Sequence, residues 1–330
     1  MQNLLEINNL SVAFHTEDGI FKAVDDVSFN IKKGEIVGLV GESGCGKSVT
    51  ALGILRLLPC PPAVIENGEV FFKDQDLLKI KPTELRKIRG RAISMIFQNP
   101  LSALSPLQRI GTQLVETLRL HEQISRKHAW KLAENWLEKV RIPDPGERMF
   151  SYPFQLSGGM QQRVMIAMAM MTGPDMLIAD EPTTALDVTI QAQIFRLVRE
   201  MRHEKTSILL ITHDMGVIWE MCDRVMVMYA SGIAEQGEKN RIFSNPAHPY
   251  TRGLLNSIPK LTATTDRLNA IPGQVPSPLN YPIGCHFRDR CSFAFDRCSE
   301  EKPRLVDIDN GHSAACFIAD KLAREGFTLT

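Results

Sequence analysis

Val40-Gly41-Glu42-Ser43-Gly44-Cys45-Gly46-Lys47-Ser48-Val49 is the stretch that decides the fold. The apolar run before it, Ile36-Val37-Gly38-Leu39-Val40, reads as a buried strand, and a helix-compatible segment follows from Val49 to Leu58. Strand, glycine-rich turn, Lys-Ser and helix, in that order, make a phosphate-binding loop. Gly41, Gly44 and Gly46, with Glu42, Ser43 and Cys45 between them, let successive backbone N–H groups curl around an anion. The helix N-terminus adds partial positive charge at the same point. Lys47 puts a full charge on the β- and γ-phosphates, and the Ser48 hydroxyl suits a Mg²⁺ ligand. A glycine-rich turn that binds nothing is the plain alternative, and the strand–helix context weighs against it.

Further along the chain, other strands end in polar groups. Met176-Leu177-Ile178-Ala179-Asp180-Glu181-Pro182 reads as a buried strand that delivers two carboxylates at its C-terminal end, where open α/β sheets put their ligands. Asp180 suits Mg²⁺, directly or through water, and Glu181 suits the orientation or activation of an attacking water. Ala92 to Phe97 is another apolar strand, ending at Gln98, which fits a water or metal contact as well as a simple turn. Ser207 to Thr212 ends at His213, a candidate γ-phosphate contact, although a lone His is more often structural. Ser157-Gly158-Gly159-Met160 leads into a helix through Val164 to Met171. Its free N-terminal amides form a second anion-binding geometry, or only a cap.

The remaining pattern predicts the architecture. Leu4–Phe14 and Lys22–Ile31 alternate with period two around a turn at Glu17-Asp18-Gly19, as antiparallel strands with one solvated face do. Phe14 fits either a stack on an adenine ring or an ordinary core position. Between Leu107 and Met171 the spacing turns helical, with Trp130, Leu132, Trp136, Leu137 and Val140 expected as one packing face. Arg224–Tyr229 and Gly232–Gly237 read as a final hairpin, and the tail from Asn245 is proline-punctuated with little periodicity. A length of 330 residues allows two or three compact units, and zero formal net charge gives no sign of a nucleic-acid partner. No apolar run approaches the roughly 20 residues of a bilayer span, and Met1–Glu6 lacks the features of a signal peptide, so a cytoplasmic location is expected.

Taken together, Gly41–Ser48, Gln98, Leu156-Ser157-Gly158-Gly159-Met160, Ile178-Ala179-Asp180-Glu181, Leu186-Asp187 and His213 resemble, in order, the motifs of the ATP-binding subunits of ABC transporters. The resemblance spans about residues 4 to 240 and implies an α/β fold. That fold has a RecA-like P-loop core, an antiparallel β subdomain, and a helical subdomain inserted at about residues 100–172. It also implies a nucleotide sandwich in which Mg-ATP on one subunit's phosphate loop is capped by the other's Ser-Gly-Gly segment. Gln98, Glu181 and His213 would then act at the γ-phosphate, Ser48 and Gln98 at Mg²⁺, and Phe14 at the adenine. Gly41-Glu42-Ser43-Gly44, Arg163–Ala167, Thr189–Gln193, His248-Pro249-Tyr250-Thr251 and Pro272-Gly273-Gln274-Val275-Pro276 are similar to the dipeptide/oligopeptide importer branch. Relatives in that branch serve glutathione, nickel or antimicrobial peptides. The family usually has Gln where this chain has Met160, and Met160 fits one of the branch's two unlike ATPase subunits. The implied partners are a second ATPase in a heterodimer, two permease subunits and an external binding protein, with this chain peripheral on the cytoplasmic face of the inner membrane. Rival readings are a non-transport ABC ATPase and an iron–sulfur sensor; Glu181 and His213 argue for real turnover.

Four of the seven cysteines gather near the end as Cys285, Cys291, Cys298 and Cys316, spaced C-x5-C-x6-C-x17-C. Spacing alone balances a metal site against buried free thiols, and four thiolates suit Zn²⁺ or a [4Fe–4S] cluster equally. The resemblance to the importer branch implies the cluster. The expected division is a nucleotide-binding domain over residues 1–245 and a loop-rich cysteine-bearing extension, without a core of its own, over 246–330.

Overall fold

The computed structural model describes residues 2–183, 188–201, 206–258, 271–309 and 311–327. Its strands are β1 (Asn3–Thr16), β2 (Gly19–Lys32), β3 (Ile36–Val40), β4 (Ala63–Phe72), β5 (Gln75–Asp76) and β6 (Ile93–Ile96). They continue as β7 (Met176–Asp180), β8 (Ser207–Thr212), β9 (Arg224–Tyr229), β10 (Gly232–Glu238), β11 (Val306–Asp309) and β12 (His312–Ala314). The chain divides into two compact units. One comprises Met1–Gln2, Lys32–Glu35 and Lys79–Ile211; the other comprises Asn3–Ile31, Ile36–Leu78 and Thr212–Thr330. Among the described residues no helix is long and apolar enough to cross a membrane.

The second of these units carries the glycine-rich loop. Its antiparallel sheet runs β2-β1-β4-β5. It buries Leu5, Ile7, Leu10 and Val12 from β1 and Val24, Val27, Phe29 and Ile31 from β2, with the period-two alternation shifting phase once in each strand. The β1–β4 ladder slips in register near Asn8 and Ser11, beside Gly68, where a Cβ would come within 2.6 Å of the Leu10 Cα. In the same unit β3, buried at every position, pairs in parallel with β9, and β9 continues antiparallel to β10. The loop after β3 turns directly into the helix Lys47–Ile54, which starts two residues earlier than the apolar pattern predicts because left-handed Gly46 serves as its N-cap.

The C-terminal segment departs from the expectation of a loop-rich appendage. β12 adds antiparallel to β10, and β11 adds to β12. Short helices follow, and a small core forms around Ala247, Ala314 and Ala319, with Ile308 and Ala323 packed against it. The junction is fixed by Glu235 on β10, which is fully buried. Its carboxylate accepts from the backbone N–H groups of Ala247 at 2.7 Å and His248 at 3.0 Å, and it lies 2.7 Å from His312 Nε2 on β12. His248 then caps the helix Pro249–Asn256, its Nδ1 accepting from the Tyr250 N–H at 3.0 Å. That role needs a neutral ring, and burial lowers the His248 pKa to about 4.

The other unit holds β6, β7 and β8 as a parallel sheet, with Ile96 beside Ala179 and Asp180 beside Ile211. Between β6 and β7 come the helices Ile110–His121, Arg126–Lys139 and Gly158–Met170. Of the packing face expected around the middle helix, Leu137 and Val140 are buried and Trp130, Leu132 and Trp136 half-buried; Ala129 and Ala133 are further buried positions that the expectation did not include. Small residues let helices approach closely, and nearby Gly111 faces the Met149 carbonyl and the Trp130 ring for the same reason.

Replacing Glu235 with Ala leaves two buried N–H groups without an acceptor, which is expected to cost about 3 kcal/mol. Denaturant titration of the full-length chain checks this, with Glu235→Gln intermediate. An unchanged midpoint in Glu235→Ala would show that the buried carboxylate does not hold the C-terminal segment.

Candidate functional site

The phosphate loop is shaped by two close backbone approaches. Gly41 has φ 155°, and a Cβ there would lie 2.1 Å from the Met228 carbonyl oxygen. Gly46 has φ 109°, and a Cβ there would lie 2.2 Å from the Ala23 carbonyl oxygen. Only glycine fits either position. The Ser231 N–H adds a bond to the Cys45 carbonyl at 3.1 Å. Lys47 is buried, its ammonium donating to the carbonyls of Gly41 at 2.9 Å and Glu42 at 3.0 Å across the curled loop. Ser43 and Gly44 are exposed at the loop's rim, and Ser48 is half-buried in the first turn of the helix. Cys45 is buried, and burial pushes its thiol pKa up against the opposing pull of Lys47.

Glu42 is held by two residues far along the chain. Arg290 donates two bonds to its carboxylate, from Nη1 at 2.7 Å and Nη2 at 3.0 Å. Tyr250, fully buried, accepts from the Glu42 N–H at 2.9 Å. The Glu42 hydrogen bond raises the Arg290 pKa above its usual value, so the guanidinium stays charged. Tyr250 belongs to the His-Pro-Tyr-Thr segment legible in the sequence, whereas Arg290 carries no signal beyond its place beside Cys291. Phe14, in the same unit, is half-buried and stacks on Phe21 with centroids 5.6 Å apart. His213 is exposed just past β8, followed by Asp214, which caps the helix Met215–Met221.

In the other unit Gln98 and Glu181 come together, Gln98 Nε2 donating to Glu181 Oε2 at 2.9 Å. Glu181 has φ 43°, a left-handed conformation costly for a residue with a side chain, and its N–H donates to the Ile211 carbonyl at 2.9 Å. Asp180 just before it is buried at the end of β7. Gln162 donates to the Pro182 carbonyl, tying the helix after the Ser-Gly-Gly segment to the turn after the carboxylates. Ser157 caps that helix by accepting from the Met160 N–H, and Ser157 and Gly158 are exposed while Gly159 and Met160 are half-buried. Asp187 lies outside the described residues.

Cys285, Cys291, Cys298 and Cys316 all line one cavity of about 20 Å³, walled by Phe287, Phe293, Phe295 and Phe317. The Cys285 N–H donates to the Cys298 carbonyl at 2.8 Å, which holds the two cysteine turns together. Burial pushes the thiol pKa values of Cys285 and Cys291 up, and that of Cys316 to about 12. Among the described residues no group of three or more His, Cys, Asp or Glu side chains is gathered tightly enough to hold a single metal ion. The four cysteines share the lining of one apolar cavity, and an all-sulfur donor set is the kind that suits a thiolate-bound group.

Comparison with known proteins gives this geometry a family. Residues 24–184 match the ABC transporter family, and residues 234–298 match the C-terminal region of oligopeptide/dipeptide transporters. A probable peptide ABC transporter ATP-binding protein of Sinorhizobium fredii is 48% identical over 97% of this chain and 96% of that protein. A dipeptide transport ATP-binding protein of Bacillus subtilis is 48% identical over 98% of this chain and 97% of that protein. Among solved structures, an ATP-binding cassette in a dimeric post-hydrolysis state with ADP and Pi superposes with TM-score 0.64 at 28% identity, over 71% of this chain and 98% of that one. The cbiO1 protein of Clostridium perfringens, part of the ABC transporter complex cbiONQ, gives TM-score 0.60 at 25% identity, over 74% of this chain and 91% of that one. The chain therefore belongs to the ATP-binding proteins of the ABC transporter family and carries the C-terminal region typical of its oligopeptide/dipeptide transporters.

Proposed function

We propose that this chain is the ATP-hydrolysing subunit of an importer for di- and oligopeptides, working through two separate permease subunits and an external binding protein. The observation that carries this reading is near full-length similarity to peptide and dipeptide transport ATP-binding proteins, with the C-terminal region included. Its place is peripheral, on the cytoplasmic face of the inner membrane. The division of labour proposed is a nucleotide-binding domain over residues 1–245, with its helical subdomain at about 100–172, and an extension over 246–330.

The residues have the following proposed roles. The amides between Gly41 and Ser48 and the Lys47 ammonium bind the ATP phosphates. Support comes from a loop already curled so tightly that the ammonium bonds its first two carbonyls. Phe14 stacks on the adenine. Ser48 and Gln98 would hold Mg²⁺, with Asp180 in support, and the ion supplies charge neutralisation on the phosphates. Glu181 positions or deprotonates the attacking water, and His213 contacts the γ-phosphate. The strained backbone at Glu181 and its bond to Gln98 support a carboxylate aimed at a fixed point. Such a site works by positioning and electrostatics, so its groups must be held before the reaction begins.

The loop forms half of a closed site. A partner ATPase subunit supplies the Ser-Gly-Gly segment that caps the nucleotide, and Ser157, Gly158, Gly159 and Met160 cap the partner's; Asp187 is assigned to the nucleotide site by the resemblance of Leu186-Asp187 to a family motif. The dimeric cassette among the solved relatives supports this, and Met160 supports an unlike partner. Cys285, Cys291, Cys298 and Cys316 bind a [4Fe–4S] cluster that braces the extension, with zinc as the competing occupant. The common cavity and the all-sulfur donor set support this reading.

Two measurements test these assignments. Glu181→Gln is expected to keep ATP binding, lose turnover by about a hundredfold or more, and accumulate as a closed ATP-bound dimer. Wild-type turnover in that variant would remove Glu181 from the chemistry. Protein purified without oxygen is expected to absorb near ~400 nm, to contain iron and acid-labile sulfide, and to lose the band in Cys291→Ser. Colourless protein holding stoichiometric zinc would replace the cluster with a zinc site.

A further inference from the structure

Glu42 puts a carboxylate in a loop read as gathering phosphate. It is a like charge for the ligand, placed among the amides that must attract it. Its surroundings show how that charge is handled. Arg290 is almost fully buried and spends both terminal nitrogens on the Glu42 carboxylate. Its Nε donates to the Pro272 carbonyl at 2.8 Å, and its guanidinium lies 5.8 Å from the Tyr229 ring and 5.9 Å from the Phe287 ring. A planar fork fixed on three sides has one orientation, and in this one it neutralises and aims a single carboxylate. A second contact acts on the same residue independently: the buried Tyr250 hydroxyl accepts the Glu42 N–H, and Tyr250 packs against Tyr229 with centroids 4.6 Å apart. The Glu42 carbonyl is held by Lys47. Side chain, amide and carbonyl of one loop residue are thus all engaged, two of them by residues that lie far along the chain.

We propose that Arg290 is a positioning residue for nucleotide binding: by pairing with Glu42 it cancels a negative charge beside the phosphates and presets the first turn of the loop. The proposal rests on the reading of Gly41–Ser48 as the ATP phosphate site. Arg290 touches no substrate itself; it acts through Glu42. The consequence is that affinity for ATP depends on the C-terminal segment, while the chemistry at Glu181 does not.

The test is equilibrium binding of Mg-ATP to the full-length chain by calorimetry, paired with KM and kcat for ATP in the assembled transporter. Arg290→Ala is expected to weaken binding and raise KM about tenfold, with kcat at saturating ATP within about twofold of wild type. The double variant Glu42→Gln/Arg290→Ala is expected to recover most of the loss, because the uncompensated carboxylate is then gone. Wild-type affinity in Arg290→Ala overturns the proposal. So does a double variant as weak as Arg290→Ala alone, which is what a merely structural role for Arg290 produces. Lys47→Ala serves as the control: binding retained there would instead overturn the reading of the loop on which the proposal stands.

Discussion

The unit that carries the glycine loop depends on how closely that loop lies against two backbone carbonyls. Met228 at the end of β9 and Ala23 in β2 each leave no room for a side chain on the loop. That contact sets the path of the chain from β3 into the helix at Lys47, and so decides which way the loop amides point. It also makes the loop depend on distant sequence. β9 must pair with β3 in the observed register, and β2 must bring its own carbonyl alongside. A loop shaped this way takes its path from contacts within the protein, and preset geometry of that kind is what electrostatic catalysis of phosphoryl transfer uses.

The same logic of preset geometry recurs at Glu181. A side-chain-bearing residue in a left-handed conformation at the end of a buried strand is strain held in place by packing, and the bond from Gln98 fixes where its carboxylate goes. The C-terminal segment adds a further layer. Glu235, buried and saturated by two N–H groups and His312, anchors it to β10. From there the segment reaches the glycine loop through Tyr250 and Arg290, and Cys291 follows Arg290 directly in the chain. Contacts from this segment to the loop give the chain beyond His213 a physical role.

Much of this was legible from local pattern, and the exceptions have physical causes. β3, β7 and β8 were readable because every position in them is buried, which leaves an uninterrupted apolar run. The loop was readable because steric need and glycine spacing coincide. On Arg126–Lys139 the large apolar residues marked the packing face, but Ala129 and Ala133, which close helix approach buries, carry too weak a hydrophobic signal to stand out. β11 and β12 had no apolar alternation to betray them: Val306–Asp309 is mostly exposed, and pairing along the edge of β10 makes them strands. The Arg290–Glu42 pair joins residues 248 positions apart, and no spacing rule reaches that far. At the candidate site the residue types were legible, and the contacts that hold them, Gln98 to Glu181 and Tyr250 to Glu42, were not.

The central claim is that ATP bound at Gly41–Ser48 drives peptide entry. It is tested most directly by uptake of a labelled dipeptide into cells whose only copy of this chain carries Lys47→Ala, with assembly of the membrane complex verified by co-purification. The account requires that uptake fall to background while the complex still assembles. Uptake at the wild-type rate with the variant complex assembled would contradict it.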